Sequence, residues 1–116
     1  MFWRKRKRDT EVLKRPSVRF VGTQDGEPER LLKNALVTEF RGVPEVKRAY
    51  LAQVQYPDGV HVALCLAAPE TRALVERIGT VFARLFSREE HLDILFVQPS
   101  QEADLERVCP EFYRGS

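Results

Sequence analysis

The sequence predicts an α+β fold of ferredoxin-like β-α-β-β-α-β order: a four-stranded antiparallel sheet with two helices on one face, then a short C-terminal helix and tail. Three observations carry this. Two stretches repeat apolar residues at helical spacing, two β-type runs flank an Asp-Gly connector, and 116 residues suit one domain with one core.

Taken in order, Ser17 to Gly22 contains Val18-Arg19-Phe20-Val21, a short strand closed by Gly22 and the turn-forming pair Asp25-Gly26. Pro28 suits a first helical turn, where its missing N–H has no partner to lose. Leu31, Leu32, Ala35, Leu36 and Phe40 then build one apolar helix face, with Gly42 as its stop and Pro44 just beyond. Residues 46–56 and 60–67 are the β-type runs, and Pro57-Asp58-Gly59 joins them as a hairpin.

In the second of these runs Val60, Val62, Leu64 and Leu66 share one side, and His61, Ala63, Cys65 and Ala67 the other. Two apolar sides predict a central strand covered twice. After Pro69, Leu74, Val75, Ile78, Val81, Phe82 and Leu85 fit a 3.6-residue period, with Arg72, Glu76, Arg77, Thr80 and Arg84 on the wet face. Leu92 to Val97 is the last strand, stopped by Pro99. Ser100 is the expected N-cap of a helix reaching about Val108, and Cys109 to Tyr113 forms the tail.

With both helices on one face, the reverse side of the sheet lacks a cover. Ala63, Cys65 and Ala67 would face outward there, and such a surface is expected to be buried by the Phe112-Tyr113 segment or by a second copy of the chain. Tyr50 and Tyr56 share a side of their strand with Ala52 and Val54, as core or interface residues. The candidate interface is therefore Tyr50, Tyr56, Ala63, Cys65, Phe112 and Tyr113.

Charge divides the chain. Residues 1–15 carry seven basic and two acidic side chains, so the remainder sums to −3 within a total of +2. Residues 1–15 are read as a basic, flexible arm and residues 16–116 as the single domain. In the arm, Arg4, Lys5, Arg6, Lys7 and Arg8 follow Phe2 and Trp3. Such a run can lie on anionic lipid, where each cation contributes ~1 kcal/mol near the surface, or it can neutralise nucleic-acid phosphates. A merely solvated terminus is the third reading.

The remaining motifs point away from catalysis. No phosphate-cradling glycine motif occurs, and Cys65 and Cys109 sit in no metal-ligand spacing, so no cofactor or metal is expected. His61 and Cys65 share a strand side at four residues' separation, ~13 Å, which is too far for a shared hydrogen bond. His91 stands in a polar loop, and Glu102, Asp104 and Glu106 read as solvated surface. RNA-recognition modules have this element order but stack bases on central-strand aromatics, where this chain has His61, Ala63 and Cys65. No apolar run approaches the ~20 residues that cross a bilayer, and no apolar signal core follows the basic residues. The expectation is a cytoplasmic protein with reduced thiols.

Pro28 with its helix, Pro44-Glu45-Val46-Lys47-Arg48-Ala49-Tyr50-Leu51 and the closing Pro110-Glu111-Phe112-Tyr113 resemble, in order and spacing, the C-terminal domain of the SseB (enhanced serine sensitivity) family of bacterial proteins. The resemblance covers about Val18 to Tyr113. It implies a bacterial cytosolic domain without an assigned activity, so no catalytic residue carries over. Such proteins ordinarily place another domain ahead of this one, where here the basic arm stands. The functional expectation is a non-enzymatic interaction domain, self-associating or docking a bacterial protein partner through its sheet face, with no small-molecule substrate. The alternative is a nucleic-acid or anionic-membrane adaptor acting through residues 3–8.

Overall fold

The computed structural model describes residues 10–12, 18–87 and 90–115, with the backbone alone described at 10–12. Among these described residues, six strands and three helices follow in the order β1 (Thr10–Val12), β2 (Arg19–Thr23), α1 (Glu27–Phe40), β3 (Arg48–Tyr56), β4 (Gly59–Ala67), α2 (Arg72–Leu85), β5 (Leu92–Phe96), α3 (Pro99–Glu106) and β6 (Tyr113–Arg114). The fold is α+β.

The hairpin forms as the Asp-Gly signal requires. β3 and β4 pair antiparallel over nine residues each, from Arg48 opposite Ala67 to Tyr56 opposite Gly59. Pro57 and Asp58 make the turn, and Gly59 leaves it at φ +135°, a conformation that glycine adopts at little cost.

The sheet order is β1-β5-β4-β3-β2, with β6 beside the start of β3. This corrects the ferredoxin-like, wholly antiparallel expectation. In a split arrangement each helix would join two parallel strands with a third between them. Here α1 connects β2 and β3, which are adjacent and antiparallel, while α2 connects β4 and β5, which are adjacent and parallel. The sheet is mixed.

Burial explains the choice. β3 is almost wholly buried along its length, so it needs a neighbour on each side. β2 has five residues, exposes Arg19 and Val21, and carries a register shift between Phe20 and Gly22, all features of an edge strand. On the far edge β1 lies parallel to β5, with Thr10 opposite Leu92, so part of the segment grouped with the basic arm belongs to the sheet.

Both long helices do pack on one face. Leu32, Leu36 and Phe40 of α1 meet Leu74, Ile78, Val81 and Phe82 of α2 above Leu51, Leu64, Leu66 and Ile94. α2 is started by Thr71, whose Oγ1 accepts from the Leu74 N–H at 3.2 Å. α1 ends at Phe40 with Arg41 as its cap, and Gly42 stands just past it, where the stop was expected. The chain turns there through hydrogen bonds from Gly42 N to Glu39 O and from Val43 N to Phe40 O.

α3 occupies the opposite face, giving three layers. Its cap is Gln98, in place of the expected Ser100. The Gln98 side chain accepts from the third helical N–H, and Gln101 Oε1 accepts from the Gln98 N–H at 2.9 Å. Pro99 fills the first helical position.

Candidate functional site

The reverse face of the sheet was expected to need a cover, and the chain supplies its own. Phe20, Tyr50, Ala52, Val54, Tyr56, Ala63, Cys65 and Leu95 form a second core, closed by Leu105 of α3 and by Cys109. Phe112 and Tyr113 are not that cover. They lie on the α1–α2 side, where Tyr113 stands edge-on to Phe40 at 5.5 Å and donates its hydroxyl to the Phe40 carbonyl at 3.1 Å.

A polar network ties α3 down. Arg48 and Tyr50 are two residues apart on β3, so both side chains project to the same face and meet α3 there. Arg48 holds Glu102 through two parallel hydrogen bonds, from Nε and from Nη2, the latter at 2.9 Å. Tyr50 donates to Glu102 at 2.6 Å and lies 3.1 Å from Glu106, one helical turn on. The bonds to Arg48 hold the Glu102 carboxyl below the usual carboxylate range, and Arg48 is raised in turn by the same bonds. Burial, then Glu102, pushes the Tyr50 hydroxyl far up. Glu102 was expected in solvent and is instead 8% exposed.

A second buried network joins β2, α1 and β3. Gln24 donates from Nε2 to Glu29 at 2.8 Å and accepts from Gln53 at 3.0 Å. The Glu29 carboxylate folds back over Gly26, where an added Cβ would stand 2.5 Å from Oε1.

The candidate interface residues are thus brought together only in part. Tyr50, Ala63 and Cys65 are fully buried and Tyr56 is 4% exposed, while Phe112 and Tyr113 sit on the other side of the sheet. Arg4, Lys5, Arg6, Lys7 and Arg8 lie outside the described residues.

Groups with reactive chemistry are held in structural roles. Burial pushes the Cys65 thiol far up, Cys109 adding to it, and burial raises Cys109 as well. Neither favours the nucleophilic thiolate. His61 does not approach Cys65 through a hydrogen bond. It meets Asp58 at 3.0 Å and stacks on Tyr56. His91 and Asp93 form a buried pair at 2.7 Å that the sequence, which placed His91 in a polar loop, did not reveal. Among the described residues no cluster of three or more His, Cys, Asp or Glu could hold a metal ion.

Two clefts among the described residues lie elsewhere. A cleft of about 210 Å³ opens between Gly42-Val43 and the first turn of α2, and a shallower one of about 420 Å³ runs along α2 past Thr80 to Arg84. Arg77 borders both, and its Nη1 donates to Glu39 Oε2 of α1 at 2.7 Å.

The family model described as the SseB protein C-terminal domain matches residues 18–113. This chain belongs to that family. The match runs from the strand before α1 to the tyrosine that pins β6, so it spans both cores and the network around Glu102. No curated protein and no solved structure matches the chain. In this SseB C-terminal domain the residues that carried the resemblance are accounted for by architecture. Arg48 and Tyr50 fasten α3, and Tyr113 fastens β6 to the end of α1. Among the described residues no helix is long and apolar enough to cross a membrane.

Proposed function

We propose that this SseB C-terminal domain is a non-enzymatic, cytosolic protein-interaction module that docks a bacterial partner through its helical layer. The observation that carries the reading is the fate of the family-marking side chains. Arg48, Tyr50 and Tyr113 are committed to joining α3 and β6 to β3, so the motif maintains a body and its outer surface.

Docking through the sheet face is disfavoured, because α3 and Cys109 already close that face. The concave strip around Arg77 is the better surface. Its arginine is half exposed and held in place by Glu39, and positioned arginines are enriched among residues that dominate binding energies. One cleft, at about 210 Å³, falls below the range typical of pockets that enclose a small molecule, ~300–1,000 Å³, and the other, at about 420 Å³, lies at its lower end. Both open outward, which suits a partner's side chains.

Affinity capture from the native cell with wild type and with Arg77→Glu tests this. A protein retained by the wild type and lost by the variant supports the reading. No partner, or the same partner at the same level on both baits, refutes it. In sedimentation at micromolar concentration the domain runs as a monomer, since the face expected to recruit a second copy is filled from within. A stable dimer would restore the self-associating alternative.

A further inference from the structure

α3 is held differently from the two long helices. α1 buries Leu32, Leu36 and Phe40 together with Glu29, and α2 buries Leu74, Ile78, Val81 and Phe82, whereas the buried side chains of α3 are Glu102 and Leu105. Cys109 adds an anchor just beyond the helix at 1% exposure, while Val108 beside it stands 39% exposed. One leucine and one thiol thus supply the apolar hold, and the rest falls to the bonds from Arg48 and Tyr50 to Glu102. The backbone points the same way. Hydrogen bonds from Glu102 N to Gln98 O, Arg107 N to Asp104 O, Val108 N to Leu105 O and Cys109 N to Leu105 O close within the segment itself. Its flanks are fixed to the body: Val97 N donates to Leu66 O, Phe112 N donates to Ala49 O, and Tyr113 donates its hydroxyl to Phe40 O. Residues 98–111 can therefore lift with their own backbone bonds intact and both ends in place. A segment with so few buried apolar contacts opens at a lower free energy than the whole domain.

We propose that residues 98–111 form a hinged strap over the second core, caught by the Glu102 carboxylate and released as a unit when that carboxylate is protonated or removed, which uncovers Cys109 and Cys65. Glu102 faces Arg48 and Tyr50 of β3, and Glu106 of its own helix shares Tyr50 with it. Arg114 of β6 adds positive charge from the strap's far end, itself held by Glu111 at 2.6 Å. The titratable groups beneath the strap are the two thiols. The Arg48 side chain is 29% exposed, so water reaches the ion pair and a proton can arrive while the strap is closed. The bonds from Arg48 hold the Glu102 carboxyl below the usual carboxylate range, so the closed form is favoured at neutral pH and loses that support as pH falls through and below the range. The strap covers the sheet face opposite α1 and α2, so it stands or falls independently of docking at Arg77.

Amide hydrogen exchange of the full chain, corrected for the intrinsic rate at each pH, resolves the strap from its surroundings. At neutral pH the amides of residues 99–109 in Glu102→Ala should exchange roughly tenfold faster than in wild type, with Cys109 alkylated faster in step, while β3, β4 and the two long helices keep their protection. In the wild type, acidification to about pH 3.5 should give the same selective loss, and Glu102→Gln should show it already at neutral pH and respond little to acid. The acid series needs no variant, so it decides the question even where Glu102→Ala fails to fold. Leu32→Ala weakens the opposite face and should raise exchange throughout without favouring the strap. An increase spread evenly over all elements in Glu102→Ala, strap amides as protected as those of β4 in acidified wild type, or the same selective opening in Leu32→Ala overturns the inference.

Discussion

Glu102 shows how one residue reconciles the sequence with its burial. Removing one partner of a buried, hydrogen-bonded ion pair usually costs several kcal/mol. Arg48 keeps some solvent contact, so Glu102→Ala should lower stability by a smaller amount, about 2 kcal/mol, measured by urea unfolding. Tyr50→Phe deletes only the hydroxyl and should cost about 1 kcal/mol. The pH dependence has a defined sign. Because the bonds from Arg48 hold the folded-state pKa of Glu102 below the usual carboxylate range, its stabilisation is complete above that range and fades as pH falls through and below it. The urea midpoint should fall between pH 5 and pH 3, and Glu102→Gln should show a shallower fall. Gly26 is the other sensitive position. At φ +149°, with Glu29 Oε1 2.5 Å from any added Cβ, Gly26→Ala should destabilise the domain by roughly 2 kcal/mol in thermal or urea unfolding.

At the level of elements, periodicity was a reliable guide to what each segment is and a poor one to its neighbours. The apolar faces of α1 and α2 and the β3–β4 hairpin are local patterns, readable because spacing alone decides which side is apolar. Strand order is a non-local property. It turned on the depth of burial of β3 and on the bulged, exposed character of β2, which the order β-α-β-β-α-β does not encode. The role of α3 was hidden for a related reason. Glu102 sits among Asp104 and Glu106, and only its distant contacts with Arg48 and Tyr50 mark it as buried. The available signal was the placement of Arg48 and Tyr50 on one side of an otherwise apolar strand, where a cation and a hydroxyl need an acceptor. Deleting the cover tests its role directly. A chain ending at Gln98 should expose the second core, bind a hydrophobic dye and self-associate in sedimentation. A truncated chain that stays monomeric and dye-silent would show that α3 is dispensable.

For the whole molecule, the three-layer arrangement decides which surfaces remain for function. The sheet is closed on one face by α1 and α2 and on the other by α3. Among the described residues the outer helical layer keeps the two Arg77 clefts open to solvent. That layer belongs to a body in which Arg48, Tyr50 and Tyr113 join α3 and β6 to the rest. The closure of the second face is the claim on which these assignments depend, and Cys65 and Cys109 report on it, being 0% and 1% exposed beneath the cover. The direct test is the rate at which the native protein reacts with a thiol-specific reagent. Both thiols should be protected in the wild type, reacting only as fast as the domain opens, and Glu102→Ala should accelerate them. Reaction of Cys65 in the native wild type at the rate of a free thiol would contradict the account.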